Sequence, residues 1–490
     1  MELILLFFSL LGIGAVVELG GDDDDDGKDA GNSSDAQNTP TQNTPSQKGT
    51  PLENIMRGGA DDDRLEGSRD DDLIYGAEGN DFIHGGAGND VLAGGAGLDK
   101  LHGGLGDDEI DGGSGDDRIW GSDGADEIFG ADGADQLNGD AGQDRIFGGN
   151  GQDDIGGGDG DDFLQGGADN DRIWGGTGND TLSGGDGNDF LDGRAGNNQI
   201  DGNAGNDLLY GGSGDDLLRG GDGHDRISDR YGNNILSGGD GGDWLHAGAG
   251  QDELDGGDGG DLLHGGDGQD ILNGGAGNDR MSGGGMNDIV VGAAGDDIVS
   301  GGEGDDQVDG NEGNDTLYGG SGDDLLRGGV GNDILNGGTG SNIMEGGAGN
   351  DILGRTTENI DVDTHGYTVL DEGSDDPTLG SVLDGGDGDD TLYGYGNDRL
   401  TGGEGSDQFI VEDENSTTRA GGATITDFNP AEDTLRIEIT AADGLDPSAG
   451  FTLEDWPEGN GTIVRLDGVL CVRLEGIAPV DIDPTSFEIF

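Results

Sequence analysis

From Gly58 to Gly354 the chain divides into 33 units of nine residues with no insertion or deletion, and the sixth place of each unit could do metal chemistry. Typical units are "GGAGNDVLA" (85–93), "GGSGDDRIW" (112–120) and "GGTGNDTLS" (175–183). The sixth place is Asp in 30 units and Asn in three, Asn198, Asn234 and Asn342. A carboxylate beside glycine-rich backbone, with no imidazole or thiolate in the pattern, supplies only hard oxygen donors. Such a set suits Ca²⁺, which takes roughly 6–8 oxygens, better than Mg²⁺, which keeps its waters, or Zn²⁺, which wants nitrogen or sulfur.

The other places say what must hold those carboxylates. Glycines recur at the first, second and fourth places, where φ > 0 and the missing Cβ let six residues turn tightly with carbonyl oxygens inward. The last three places read as a short strand, whose alternation sends the eighth side chain to one face and the seventh and ninth to the other. All 33 eighth places are Leu, Ile, Val or Met. That single inward aliphatic per unit is the whole core, and the expected class is all-β.

Composition sharpens the problem. Of 490 residues 114 are Gly, 30% are hydrophobic and the formal net charge is −86. So little apolar area with so much charge leaves a chain disordered unless something neutralises the carboxylates. With 107 Asp and Glu against 21 Lys and Arg, neither nucleic acid nor an anionic membrane is a fitting partner. The single Cys471 excludes an intrachain disulfide framework.

The units resemble the glycine- and aspartate-rich RTX (hemolysin-type) calcium-binding repeats, GGxGxDxUx with U aliphatic. The likeness covers 58–354 and resumes after residue 384. It implies a calcium-dependent parallel β-roll (a β-solenoid) with two units per turn and multiple Ca²⁺ ions between stacked turns, each held by an Asp and carbonyls from one loop and an Asp and carbonyls from the loop stacked on it. The ligand role it implies falls on Asp63, Asp72, Asp81, Asp90, Asp99, Asp108, Asp117, Asp126, Asp135, Asp144, Asp153, Asp162, Asp171, Asp180 and Asp189. It continues through Asp207, Asp216, Asp225, Asp243, Asp252, Asp261, Asp270, Asp279, Asp288, Asp297, Asp306, Asp315, Asp324, Asp333 and Asp351, and ends with Asp390, Asp398 and Asp407. On the order of 30 ions would bring roughly +60. Without them, acidic loops stacked at ~5 Å repel, so the expectation is an expanded apo chain and a rigid holo rod of about 16 turns and roughly 80 Å.

Departures from the pattern cluster. Asn198, Asn234 and Asn342, the first-place Asp229 and Ala247, and the fourth-place Met286 all fall in even-numbered units. Alternate units stack, so one of the roll's two edges is expected to hold the weaker calcium sites.

The remaining segments carry no repeat. Residues 1–17 include the hydrophobic run "LILLFFSLLGIGAVV" (3–17), a secretory signal or a membrane anchor. Residues 18–57 read as an acidic and polar linker, 355–383 as a non-repeat insertion and 384–410 as the final repeats. At 411–490 alternating segments such as "DTLRIEIT" and a hairpin at 462–476 turning on Asp467-Gly468 suggest a β-rich C-terminal cap. This end is similar to the C-terminal flank of RTX proteins exported by type I secretion. No zinc-protease or nucleophile-elbow motif occurs, so the chain is not expected to be an enzyme. His84/His102 and His246/His264 should stack on the outer face as solvated pairs, since no third ligand is evident. The resulting expectation is a secreted or surface-tethered calcium-binding protein, structural or adhesive in role. A cell-surface glycan or protein on the outer sheet face is a further candidate partner. The alternative is an accessory chain or non-catalytic module of an exported enzyme or toxin system.

Overall fold

The computed structural model describes residues 47–48, 55–354, 380–413, 422–439, 451–456, 460–466, 469–479 and 488–489. The chain divides into two units, Met1–Pro45 and Ser46–Phe490, and every described residue belongs to the second. The hydrophobic run at 3–17, most of the 18–57 linker and most of the 355–383 insertion therefore lie outside the described residues.

Each nonapeptide contributes one strand, and every strand stacks in parallel on the strand two units away. Ile74 pairs with Leu92 and Leu92 with Ile110, while Ile83 pairs with Leu101. Odd units build one sheet and even units the other, giving a parallel β-solenoid of about 18 turns with no helix among the described residues. The eighth-place side chains of both sheets meet in one aliphatic layer: Ile74, Ile83, Ile110, Ile119 and Ile128 are each 0% exposed. Seventh and ninth places face outward and are mostly half-buried or exposed, as period-2 alternation requires.

The strands are twice as long as the last three places alone would make them. Leu73–Glu78, Val91–Ala96 and their counterparts run from the seventh place of one unit through the third place of the next. The ladder skips only the first place: Tyr75 pairs with Ala93 and Ala77 with Gly95. The turn proper is thus the fourth to sixth places alone.

The first and second glycine columns differ in backbone conformation. Most second-place residues lie at φ > 0 and pass close to a carbonyl of the previous turn, as a Cβ built on Gly149 would meet that of Ala131, yet Ala77, Ser122, Ala131, Asp140, Arg194 and Asn203 occupy this place at φ between 70° and 92°. First-place glycines do not have φ > 0; what they need is room. A Cβ on Gly130 would stand 2.5 Å from Asp135 Oδ2 and 2.6 Å from the carbonyl oxygen of Gly148. A methyl at Gly130 would have to push those two oxygens apart, and only Ala247 and Asp229 put a side chain at a first place within 58–354.

The pairing also moves two boundaries. Ile55–Arg57, assigned above to the linker, is already a rung that pairs with Leu73–Tyr75, with Met56 in the eighth-place core position. Val382 and Leu383, assigned to the insertion, pair with Ile343 and Met344. Beyond the repeats, Thr434–Ile439 continues the roll in parallel with Gln408–Asp413, and Val469–Glu475 adds to it through Ala423 and Val472. Among the described residues only Phe451–Asp455, Gly461–Leu466 and Val469–Glu475 pair antiparallel, as an end cap packed on the last core rungs.

Candidate metal centre

Stacking of alternate units lines the sixth places into a column along each edge of the roll. From Asp72 onward these aspartates are nearly all 1–3% exposed, whereas Asp63 in the first turn is half-buried. One carboxylate oxygen of each is used by the fold: the amide of Asp63 donates to Asp81 Oδ1 at 2.7 Å, that of Asp81 to Asp99 Oδ1, and that of Asp99 to Asp117 Oδ1 at 2.8 Å. These bonds fix each side chain against the turn before it. The other oxygen, Oδ2, is buried without a hydrogen-bond donor in nearly every repeat from Asp81 to Asp390.

The asparagines show what Oδ2 faces. Asn198 keeps the ladder bond, accepting from the amide of Asp180 through Oδ1 at 3.0 Å. Its Nδ2 then donates to the carbonyls of Gly196, in its own turn, and Gly211, one turn on, at 3.2 and 3.3 Å. Where Asp replaces Asn, a carboxylate oxygen points at the same two kinds of carbonyl oxygen. Acceptors facing acceptors in a buried site carry a desolvation penalty that only a positive charge removes.

The carboxyl groups register that deficit. Burial, reinforced by carboxylates one turn away, pushes Asp153 up to about 8 and Asp117 up to about 7. Burial likewise lifts Asp126 to about 6. Because Oδ1 of the stacked aspartate already accepts an amide, the structure leaves one free carboxylate oxygen per site where an aspartate from each loop is expected. That oxygen with main-chain carbonyls from two turns is an all-oxygen set that fits Ca²⁺. The sixth-place aspartate would hold it together with the fourth-place carbonyl of its unit and the first-place carbonyl of the next turn. Among the described residues no three His, Cys, Asp or Glu side chains converge as a metal-holding group, so the donors of such a site would be mostly main chain.

Most of the candidate aspartates share this geometry. Asp398 differs: its Oδ1 accepts from Ser381 and its Oδ2 from Tyr395, at 2.8 and 2.7 Å, because its unit is one residue short and the turn closes on the carboxylate. Asp407 holds its place, accepting from the amide of Asp390 at 3.1 Å.

Three features of the edges were not foreseen. Asp433 extends the column past the repeats, accepting from the amide of Asp407 at 3.2 Å, and "DTL" at 433–435 repeats the local signature of Asp390-Thr391-Leu392. Ser381 occupies a sixth place with a hydroxyl, accepting from the amide of Asn342 at 3.1 Å. A second ladder runs through the fifth places, where Asp62 Oδ1 accepts from the amide of Asn80 and Asn80 Oδ1 from that of Leu98. The histidines stack unequally. His246 and His264 lie parallel at 5.0 Å, but His102 stacks on Trp120 at 4.3 Å and meets His84 edge-on.

The family described as RTX calcium-binding nonapeptide repeat (4 copies) matches residues 49–353 in overlapping stretches, and 381–409. No curated protein matches. Among solved structures, a subunit of the Azotobacter vinelandii mannuronan C5-epimerase is 20% identical over 42% of this chain and 80% of its own, with a TM-score of 0.14. The extracellular lipase of Serratia marcescens is 17% identical over 61% of this chain and 40% of its own, also at 0.14. With stacked nonapeptide turns and buried carboxylates along both edges, the chain belongs to the family of RTX calcium-binding nonapeptide-repeat proteins.

Proposed function

We propose that this chain is an extracellular calcium-binding β-roll, structural or adhesive in role and without catalysis of its own, that folds as it binds Ca²⁺. The observation that carries this reading is the column of buried Oδ2 atoms with no donor. A core of one aliphatic per repeat cannot by itself offset the ordering of the chain and the burial of so many carboxylates. Metal-binding energy then serves as folding energy. Such a chain folds only where calcium is plentiful, which favours the outside of the cell, where module affinities of about 10⁻⁴–10⁻³ M are typical.

A calcium titration of the full chain, read by far-UV circular dichroism and hydrodynamic radius together, tests the proposal. The expected outcome is a cooperative gain of β signal with contraction as calcium rises. Identical spectra and radii in chelator and in millimolar calcium would contradict it.

A further inference from the structure

One unit of the roll carries its carboxylate in a different place. In "DRYGNNILS" (229–237) the sixth place is Asn234, and Asp229 stands first, where every other unit but that of Ala247 has Gly. The first place is where a main-chain carbonyl approaches the aspartate one turn back. At Gly130 the oxygens nearest a would-be Cβ are Asp135 Oδ2 and the Gly148 carbonyl, and at Gly346 they are Asp351 Oδ2 and the Gly385 carbonyl. At Gly211 the two nearest are both carboxylate oxygens: Asp216 Oδ2 lies at 2.7 Å and Asp229 Oδ2 is closer still.

Both carboxylates are set for this meeting. Asp216 is 2% and Asp229 1% exposed. The amide of Asn198 donates to Asp216 Oδ1 at 2.6 Å, and those of Arg230 and Tyr231 donate to Asp229 Oδ1 at 2.6 and 3.3 Å. Neither Oδ2 has a donor. Two acceptors held together in a buried site need either a cation or a shared proton between them.

We infer that Asp216 and Asp229 form a two-carboxylate cation site, richer in charge than the other sites of the roll, with Asp229 as a side-chain ligand in the position of a carbonyl. The inference rests on the calcium reading above. Its setting explains the extra charge, because Asp216 lies between Asn198 and Asn234 in the column and Asp229 returns a carboxylate that the asparagines remove. The molecule holds its own control further along the roll, where "TLYGGSGDDLLRGG" (316–329) nearly duplicates "LLYGGSGDDLLRGG" (208–221). There Asn342 recurs but Gly337 stands in the place of Asp229, and Asp324 Oδ2 faces the Gly337 carbonyl in the ordinary way.

Terbium, a trivalent stand-in for calcium, reads the difference. In crystals of the full-length protein soaked with less than one equivalent of Tb³⁺, anomalous density between Asp216 and Asp229 should exceed that beside Asp324 at least about twofold. Asp229→Asn, which keeps the shape, should abolish that excess. Ions beside the other sixth-place aspartates but none between Asp216 and Asp229 would show a proton-sharing pair and overturn this inference alone. No ion beside any sixth-place aspartate would overturn the calcium reading as well.

Discussion

At the residue scale, glycine at the first place and glycine at the second do different work. The second place combines φ > 0 with a carbonyl oxygen of the previous turn that crowds a Cβ built on Gly149, yet Ala131 occupies it, at φ 78° and modest strain, beside Gly130. The first place asks for the absence of a Cβ between Asp135 Oδ2 and the Gly148 carbonyl. Gly130→Ala should therefore cost the calcium-loaded roll about 1–3 kcal/mol and lose one bound ion, because the intruding methyl pushes apart oxygens that must converge. Thermal unfolding and ion counting in saturating calcium measure both effects. A Gly130→Ala protein with unchanged stability and stoichiometry would refute the division between the two places.

At the scale of the element, each strand is held by its neighbours one turn before and one turn after, and by a single inward side chain. Ile155 is fully buried between the sheets, and its strand pairs with the strands of Leu137 and Ile173. Ile155→Ala should destabilise the roll by about 2–5 kcal/mol through the cavity it leaves. Stacked repeats touch only their neighbours, so the loss should be local. Hydrogen exchange should quicken first at 136–141 and 154–177, with the distant rungs near Leu326 unchanged. Uniform acceleration along the whole chain would mean that the turns unfold as one block.

At the scale of the molecule, acidity and calcium act on the same carboxylates with opposite pH dependence. With no cation beside them, burial first and neighbouring carboxylates second raise the folded-state values from 3.8 to about 6 for Asp126, about 7 for Asp144 and about 8 for Asp153. The folded apo chain therefore holds more protons than the unfolded one, and its stability falls as pH rises. In chelator, the β signal should be greatest below about pH 4 and vanish as pH climbs through about 6 to 8. Calcium should restore it at pH 7.5, with a midpoint that moves to higher calcium at pH 5.5 as protons compete for Oδ2. A β signal in chelator that instead grew from pH 4 to pH 8 would contradict this account.

The sequence by itself determined the repeat, the class and the chemistry of the edges. A strict period of nine with an aliphatic eighth place leaves only a stacked β architecture, and Asp among glycines allows only oxygen donors. It could not say that strands run through the second and third places, because that depends on which amides find carbonyls in the neighbouring turn. Nor did it separate the first-place glycines from the others, since one residue type answers two physical demands. The tertiary structure alone decided that Asp433 and Ser381 join the columns and that the shortened turn closes on Asp398. It alone brought Asp229 to Asp216 in the turn before, where reading along the chain had counted Asp229 as a defect. The reason is geometric: stacking sets the first place of one unit over the sixth place of the unit a turn earlier, so a ligand is defined by its neighbour in the stack and not by its neighbours in the chain.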